Sequence, residues 1–233
     1  MKKFSKFIVI IPIAIILLFT KDGLRTPEPE NELRLNSESV ISSKESKAPI
    51  TVDIFFDPAC PPCAYLGDII DDTLESYLNE GVIEVVYHPT AFLNNENNYS
   101  KLISASILSV ANVAPNKTYD YIRSVITVPF QEKHRSSDDV LSIIENHLLK
   151  FGFNANEKDR IMEGIDEAAI QVDTLTKEFI DEDSKWAEFS PEGSVFAPYV
   201  LINKTGEHEN QVFMPSSFET LNEELISEIN KLK

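Results

Sequence analysis

Two patterns of apolar residues alternate along the chain: short unbroken runs, and longer stretches in which they recur every three or four positions. "ITVDIFF", Ile50–Phe56, is β-branched and aromatic, and Asp57-Pro58 closes it, which predicts a buried strand. A helix is predicted next, with Leu66, Ile69, Ile70, Thr73, Leu74, Tyr77 and Leu78 on one face, Pro61 in its first turn and Gly81 as its cap. "VIEVVY", Val82–Tyr87, is a second strand. Strand, helix and strand in so short a span imply a parallel pair joined by a right-handed crossover.

From Tyr99 to about Trp186 only helical spacing remains. "YSKLISASILSVANVA" is amphipathic and stops before Pro115. "SSDDVLSIIENHLLKFG" takes Ser137 as its N-cap, Val140, Ile143, Ile144, His147 and Leu148 as its apolar face, and Gly152 as its end. Two more helices are predicted, Glu157–Glu163 and Asp166–Asp183. Strand patterns return in "YVLIN" (Tyr199–Asn203) and "QVFM" (Gln211–Met214), spaced as a hairpin. A last helix follows, with Ser216 and Glu219 as a capping box and Phe218, Leu221, Leu225 and Leu232 facing inward. The class is α/β, a mixed sheet with an inserted all-helical subdomain. The expected division is 49–96 and 187–233 for the sheet domain and 97–186 for the insertion.

The N-terminal residues fall outside that pattern. Lys2, Lys3 and Lys6 precede "FIVIIPIAIILLF", Phe7–Phe19, the charge and apolar order of an export signal. A buried first helix fits so uniform a run beside three lysines poorly. At ~1.5 Å per residue this run falls short of a ~30 Å hydrocarbon core, and no small-residue cleavage site follows it. Residues 1–20 are therefore expected to be a signal peptide or an N-terminal membrane anchor, and an exported, extracytoplasmic location follows either way. No cysteine lies there to carry a lipid. Residues 21–48, with Pro27, Pro29 and scattered Glu, Ser and Asn, are expected to be a flexible linker, with a weak strand around Leu33–Leu35 left open.

Charge narrows the partners. Of 21 basic and 38 acidic side chains, eight and six lie in the first 48 residues, leaving 13 and 32 in the remainder. So acidic a surface repels phosphate backbones and argues against nucleic acid.

The only two cysteines are Cys60 and Cys63, in "FFDPACPPCAYLGDII". Zinc would need two histidines converging on them, whereas His88, His134, His147 and His208 are scattered over different elements, with His147 reading as a core histidine. A purely structural disulfide over so small a loop removes little unfolded-state entropy. Redox chemistry fits the position better. Cys60 falls at the start of a helix directly after a buried strand, where unpaired N–H groups and the helix dipole favour a thiolate. Cys60 is then the entering nucleophile and Cys63, one turn on, the resolving thiol.

"TVDIFFDPACPPCAYL" resembles the active-site region of the thioredoxin superfamily. The helical insertion, and "VVYHPTAFLNNENNYSKLISASILSVAN" from Val85, are similar to the DsbA-like branch of exported thiol-disulfide oxidoreductases. The resemblance implies a thioredoxin-like sheet, a redox-active Cys60–Cys63 disulfide and no other cofactor or metal. It also matches Ala197-Pro198 to the cis-proline that faces the cysteines and helps bind an extended substrate strand. Two positions depart from the family. Ile54 stands where many relatives have a buried acid, and Asp53 beside it points to the opposite face of its strand. Ala197 replaces the more usual Thr or Val.

The expected activity is disulfide donation to extracytoplasmic proteins or peptides bearing thiols, by a monomer recharged by a redox partner that the sequence does not identify. Pro62 removes an N–H that would otherwise reach the Cys60 sulfur, which predicts a pair less oxidising than DsbA. An extracytoplasmic reductase, for instance in cytochrome c maturation, and a membrane-tethered binding or chaperone module are the alternatives.

Overall fold

A computed structural model describes residues 33–35, 41–43, 47–93, 96–180, 198–205, 211–213 and 220–233. Its sheet is built around β3 (Ile50–Phe56), which is buried on both faces and is apolar except at Thr51 and Asp53. β3 pairs in parallel with β4 (Ile83–Pro89), from Ile50 opposite Ile83 to Phe56 opposite Pro89. On its other side it pairs antiparallel with β5 (Tyr199–Lys204), which pairs in turn with β6 (Gln211–Phe213). The predicted parallel pair and the predicted hairpin are both present.

The sheet is wider than the sequence suggested. β1 (Leu33–Leu35) and β2 (Ile41–Ser43) form an antiparallel pair and β2 joins the edge of β4, giving the order β1-β2-β4-β3-β5-β6. Part of the expected linker is thus sheet. Three residues each are too few to show a period, and the runs become strands by pairing, β1 with β2 and β2 with β4.

α1 (Pro61–Asn79) lies between β3 and β4. Gly81, at φ 66°, ends it: its N–H donates to Leu78 C=O and the Val82 N–H to Tyr77 C=O, a Schellman closure that needs a left-handed residue. Leu74 and Leu78 of the predicted stripe are buried, while the side chains of residues 66–73 lie outside the description.

Among the described residues, five α-helices stand between β4 and β5. They are α2 (Tyr99–Val113), α3 (Thr118–Val125), α4 (Val128–His134), α5 (Val140–Phe151) and α6 (Ala155–Ile180). The short α3 and α4 are not individually visible as periodic runs. α5 is capped by Asp139, whose carboxylate accepts from Ser142 N–H at 3.2 Å, rather than by Ser137, which accepts from Asp139 N–H. The two helices predicted over 157–183 are one. Gly164, between the two predicted ranges, is a contact point: a Cβ there would lie 2.7 Å from Ser109 Oγ on α2.

α7 (Leu221–Leu232) closes the fold and buries Leu221, Leu225 and Ile229. Thr220 stands at its N-cap and donates to Glu224 at 2.7 Å; the predicted box at Ser216 and Glu219 lies outside the described residues. No helix among the described residues is long and apolar enough to cross a membrane, and residues 1–32 lie outside them.

Strand alternation divides the core. Val52, Ile54 and Phe56 join a large cluster that contains Cys60, Cys63 and the apolar faces of the inserted helices. Phe55 points the other way, to Phe179, Tyr199 and Leu201. Asp53 shares that second face and meets His88 Nε2 at 2.7 Å, while the His88 ring stacks on Phe55 at 3.9 Å.

Candidate active site

Beyond Phe56 the chain turns through Asp57-Pro58-Ala59 into Cys60, and the turn is closed by Cys60 N–H on Asp57 C=O at 3.0 Å. Cys60 is the extended N-cap residue of α1, and no side chain caps that end. Pro61 and Pro62 take two N–H groups out of the first turn. The next two, of Cys63 and Ala64, donate to Cys60 C=O, and the Cys63 N–H also reaches the Cys60 sulfur.

The two sulfurs are neighbours and unlike. Cys60 is 6% exposed and Cys63 fully enclosed. A hydrogen bond from the Cys63 thiol holds the Cys60 thiol below its ordinary pKa; burial and the charge of Asp57 oppose this, and the Cys63 N–H supports it. Burial pushes Cys63 well above the ordinary thiol range, and its bond to Cys60 adds to the effect. The Asp57 N–H, 3.4 Å from Cys63 Sγ, offsets part of that rise. The slightly exposed thiol has its pKa lowered and the enclosed one has its pKa raised, the asymmetry that a nucleophile and a resolving thiol require.

Asp57 and Gln131 complete the site, and neither was picked out from sequence. Asp57 is fully buried. Its Oδ1 accepts from Ala59 N–H (2.7 Å) and Ser100 Oγ (2.6 Å), and its Oδ2 from Leu93 N–H (2.7 Å). Burial raises its pKa, against those hydrogen bonds and one from Phe92 N–H. The signal was present, an acid directly after the apolar run Ile54–Phe56, but Asp-Pro reads first as a turn. Gln131 of α4 donates to Pro58 C=O (2.5 Å) and to Cys60 C=O (2.8 Å), tying the insertion to the cysteine loop. A helix as short and polar as α4 gave no reason to look there.

Ile54 is buried in the cysteine cluster and Asp53 lies on the other face, as the strand alternation requires. The described histidines are engaged elsewhere: His88 with Asp53, His147 Nε2 with Ser124 Oγ at 2.8 Å, and His134 against the Phe130 ring; His208 lies outside the described residues. Among the described residues no group of three or more His, Cys, Asp or Glu side chains is arranged to hold a metal ion. Tyr199 pairs with Phe55, so the half-buried Pro198 stands one position further, at the end of the sheet where β3 leads into Asp57. Ala197 lies outside the described residues.

Comparison with known proteins agrees with this architecture. The chain resembles the MdbA thiol-disulfide oxidoreductase of Corynebacterium diphtheriae at 16% identity, with a TM-score of 0.61 over 89% of this chain and 97% of that one. It also resembles BdbD of Bacillus subtilis, at 16% identity and a TM-score of 0.58 over 82% and 91%. DsbA of Mycobacterium tuberculosis gives 14% identity and a TM-score of 0.58 over 88% and 92%. At such identities the likeness is one of fold. Among curated sequences, the serine/threonine-protein kinase PknE of M. tuberculosis is 29% identical over 112 residues, 46% of this chain. The chain spans about a fifth of that kinase's length, 20%. A family model described as Thioredoxin matches residues 41–213, from β2 through the cysteines and the whole insertion to β6. The chain belongs to the thioredoxin family, with the fold of its DsbA-like branch.

Proposed function

We propose that this protein is an exported thiol-disulfide oxidoreductase that donates the Cys60–Cys63 disulfide to extracytoplasmic proteins or peptides. The observation that carries the reading is the unlike pair: an acidified Cys60 at the uncapped start of α1 beside an enclosed Cys63 that retains its proton. A client thiolate attacks Cys60 Sγ of the oxidised protein, the intramolecular S–S bond breaks, and Cys63 leaves and takes up a proton. A second client thiolate then attacks the client sulfur of the mixed disulfide and expels Cys60 as the thiolate. The client loses two electrons, the protein gains two, and a partner disulfide of higher potential restores the pair.

Pro198 and Ala197 are assigned to the client strand, supported by the register that brings Pro198 to the cysteine end of the sheet. The basic and apolar order of residues 1–20 supports export, and intact mass of the exported protein distinguishes a cleaved signal from an anchor.

Oxidation of a reduced dithiol peptide by the oxidised protein is the test, with Cys60→Ser as control. Transfer that the variant abolishes is expected; equal behaviour would leave a binding module and overturn the reading. A second direction, reduction, draws support from Pro62, which withholds an N–H from the thiolate. Equilibration with glutathione separates the two, an oxidase holding its disulfide less tightly than the glutathione pool.

A further inference from the structure

Asp57 is the one fully buried carboxyl group beside the cysteines, and its surroundings limit what it does. A carboxylate offers about four acceptor positions. Four donors meet this one: Ala59 N–H, Ser100 Oγ, Leu93 N–H and Phe92 N–H. Burial, the largest influence, raises its pKa and these donors oppose it by favouring the ionised form; with its acceptor positions taken the group is badly placed to receive the Cys63 proton. What it can still exert is its charge. Cys60 and Cys63 of the loop and α1, and Tyr99 of α2, are the titratable groups that feel it. The nearest cation on the adjoining α4 segment, Arg135, is turned to Ala59 C=O at 3.5 Å, and no described lysine or arginine forms an ion pair with Asp57.

We propose that Asp57 is a positioning residue that lowers the reduction potential of the Cys60–Cys63 pair: its anion, fixed by Ala59, Ser100, Phe92 and Leu93, opposes the Cys60 thiolate. The inference rests on the oxidoreductase reading and deepens it. In the couple, the disulfide takes up two electrons and one proton to give a Cys60 thiolate and a Cys63 thiol. Only the reduced side carries a sulfur anion, so a fixed negative charge destabilises that side alone and favours the disulfide. Through its backbone the same residue donates to Cys63 Sγ, and that N–H survives any side-chain change.

The experiment is Asp57→Asn in the full chain. The Cys60 thiolate is titrated by absorbance and the dithiol–disulfide equilibrium is set against glutathione. Removal of the charge is expected to make Cys60 more acidic and to move the equilibrium about tenfold toward the dithiol, or about 30 mV more oxidising. A merely structural role would lower thermal stability and move neither.

Because the asparagine amide meets donors on both sides, the variant risks misfolding, and a second measurement uses the native sequence. The Asp57 carboxyl is titrated by carbon NMR in the oxidised and reduced protein. Reciprocal coupling requires a higher pKa when the thiolate is present. Equal values in the two states, or an unmoved potential in a folded Asp57→Asn, overturn the inference while client oxidation through Cys60 still stands. Loss of client oxidation in the parent overturns the oxidoreductase reading instead.

Discussion

The Gln131 amide donates to the carbonyl oxygen of Cys60 at 2.8 Å across 71 positions of sequence, and to that of Pro58 at 2.5 Å. The inserted helices therefore hold the backbone of the cysteine loop directly. Cys60 C=O also accepts from Cys63 and Ala64, but no other donor to Pro58 C=O is found among the described residues. Gln131→Ala should leave that buried oxygen unsatisfied and lower stability by about 1–3 kcal/mol, read from urea unfolding. Gln131→Leu should be no better, since it restores volume without the donor.

The unlike thiols make a labelling prediction. In the reduced native protein at neutral pH, iodoacetamide should modify Cys60 and spare Cys63, giving one adduct by intact mass. Cys63 is fully enclosed and burial raises its pKa, so it should react only after denaturation. Two adducts formed at equal rates would contradict the asymmetry.

Gly164 sets two effects against each other. Alanine in a helix interior is favoured over glycine by about 1 kcal/mol. Here a Cβ would meet Ser109 Oγ at 2.7 Å, and that hydroxyl is buried and donates to Ile161 C=O at 2.7 Å. The clash should win, with Gly164→Ala destabilising by about 1–2 kcal/mol. Ser109→Ala in the same chain removes the obstructing oxygen and leaves its Cβ 3.7 Å away, an ordinary contact. The double variant should recover most of the loss, a coupling visible in a double-mutant cycle.

His147 gives the protein a pH dependence away from the cysteines. Burial, with His134 and Lys150 nearby, lowers its pKa from 6.5 to about 4. The unfolded chain binds the proton more readily, so stability should be complete above about pH 6.5 and decline as pH falls toward 4. Discounted for partial exposure, the loss from this group should be about 1–2 kcal/mol. His147→Phe should flatten the slope in urea midpoints taken between those limits, since Ser124 Oγ keeps its bond to Tyr121 C=O.

The readable parts of this fold are those where one residue pattern answers to one partner. β3 and β4 are legible because both faces of β3 are buried, and Gly81 and Gly152 because a helix end demands a left-handed residue there. The cysteine pair is legible from its junction alone. Asp57 and Gln131 are not, because their roles come from donors and acceptors dozens of positions away. Gly164, between the two predicted helices, is illegible for a related reason: its lack of a side chain serves α2, a partner that local pattern does not show. β1 and β2 are too short to read from pattern: β2 pairs with the edge of β4, and β1 with β2.

The continuity of α6 bears on how the molecule can be trimmed. Its 26 residues extend about 39 Å. Ile161 and Ile165 pack with the cysteine cluster, Thr176 Oγ1 accepts from Ala91 N–H, and Phe179 rests on Phe55 behind the sheet. One rod thus spans both faces of the sheet. Excising residues 97–186 to obtain a minimal scaffold would take Gln131 from the Pro58 and Cys60 carbonyls and bare Phe55 on the rear of β3, so the insertion is a buttress of the cysteine loop and not an accessory.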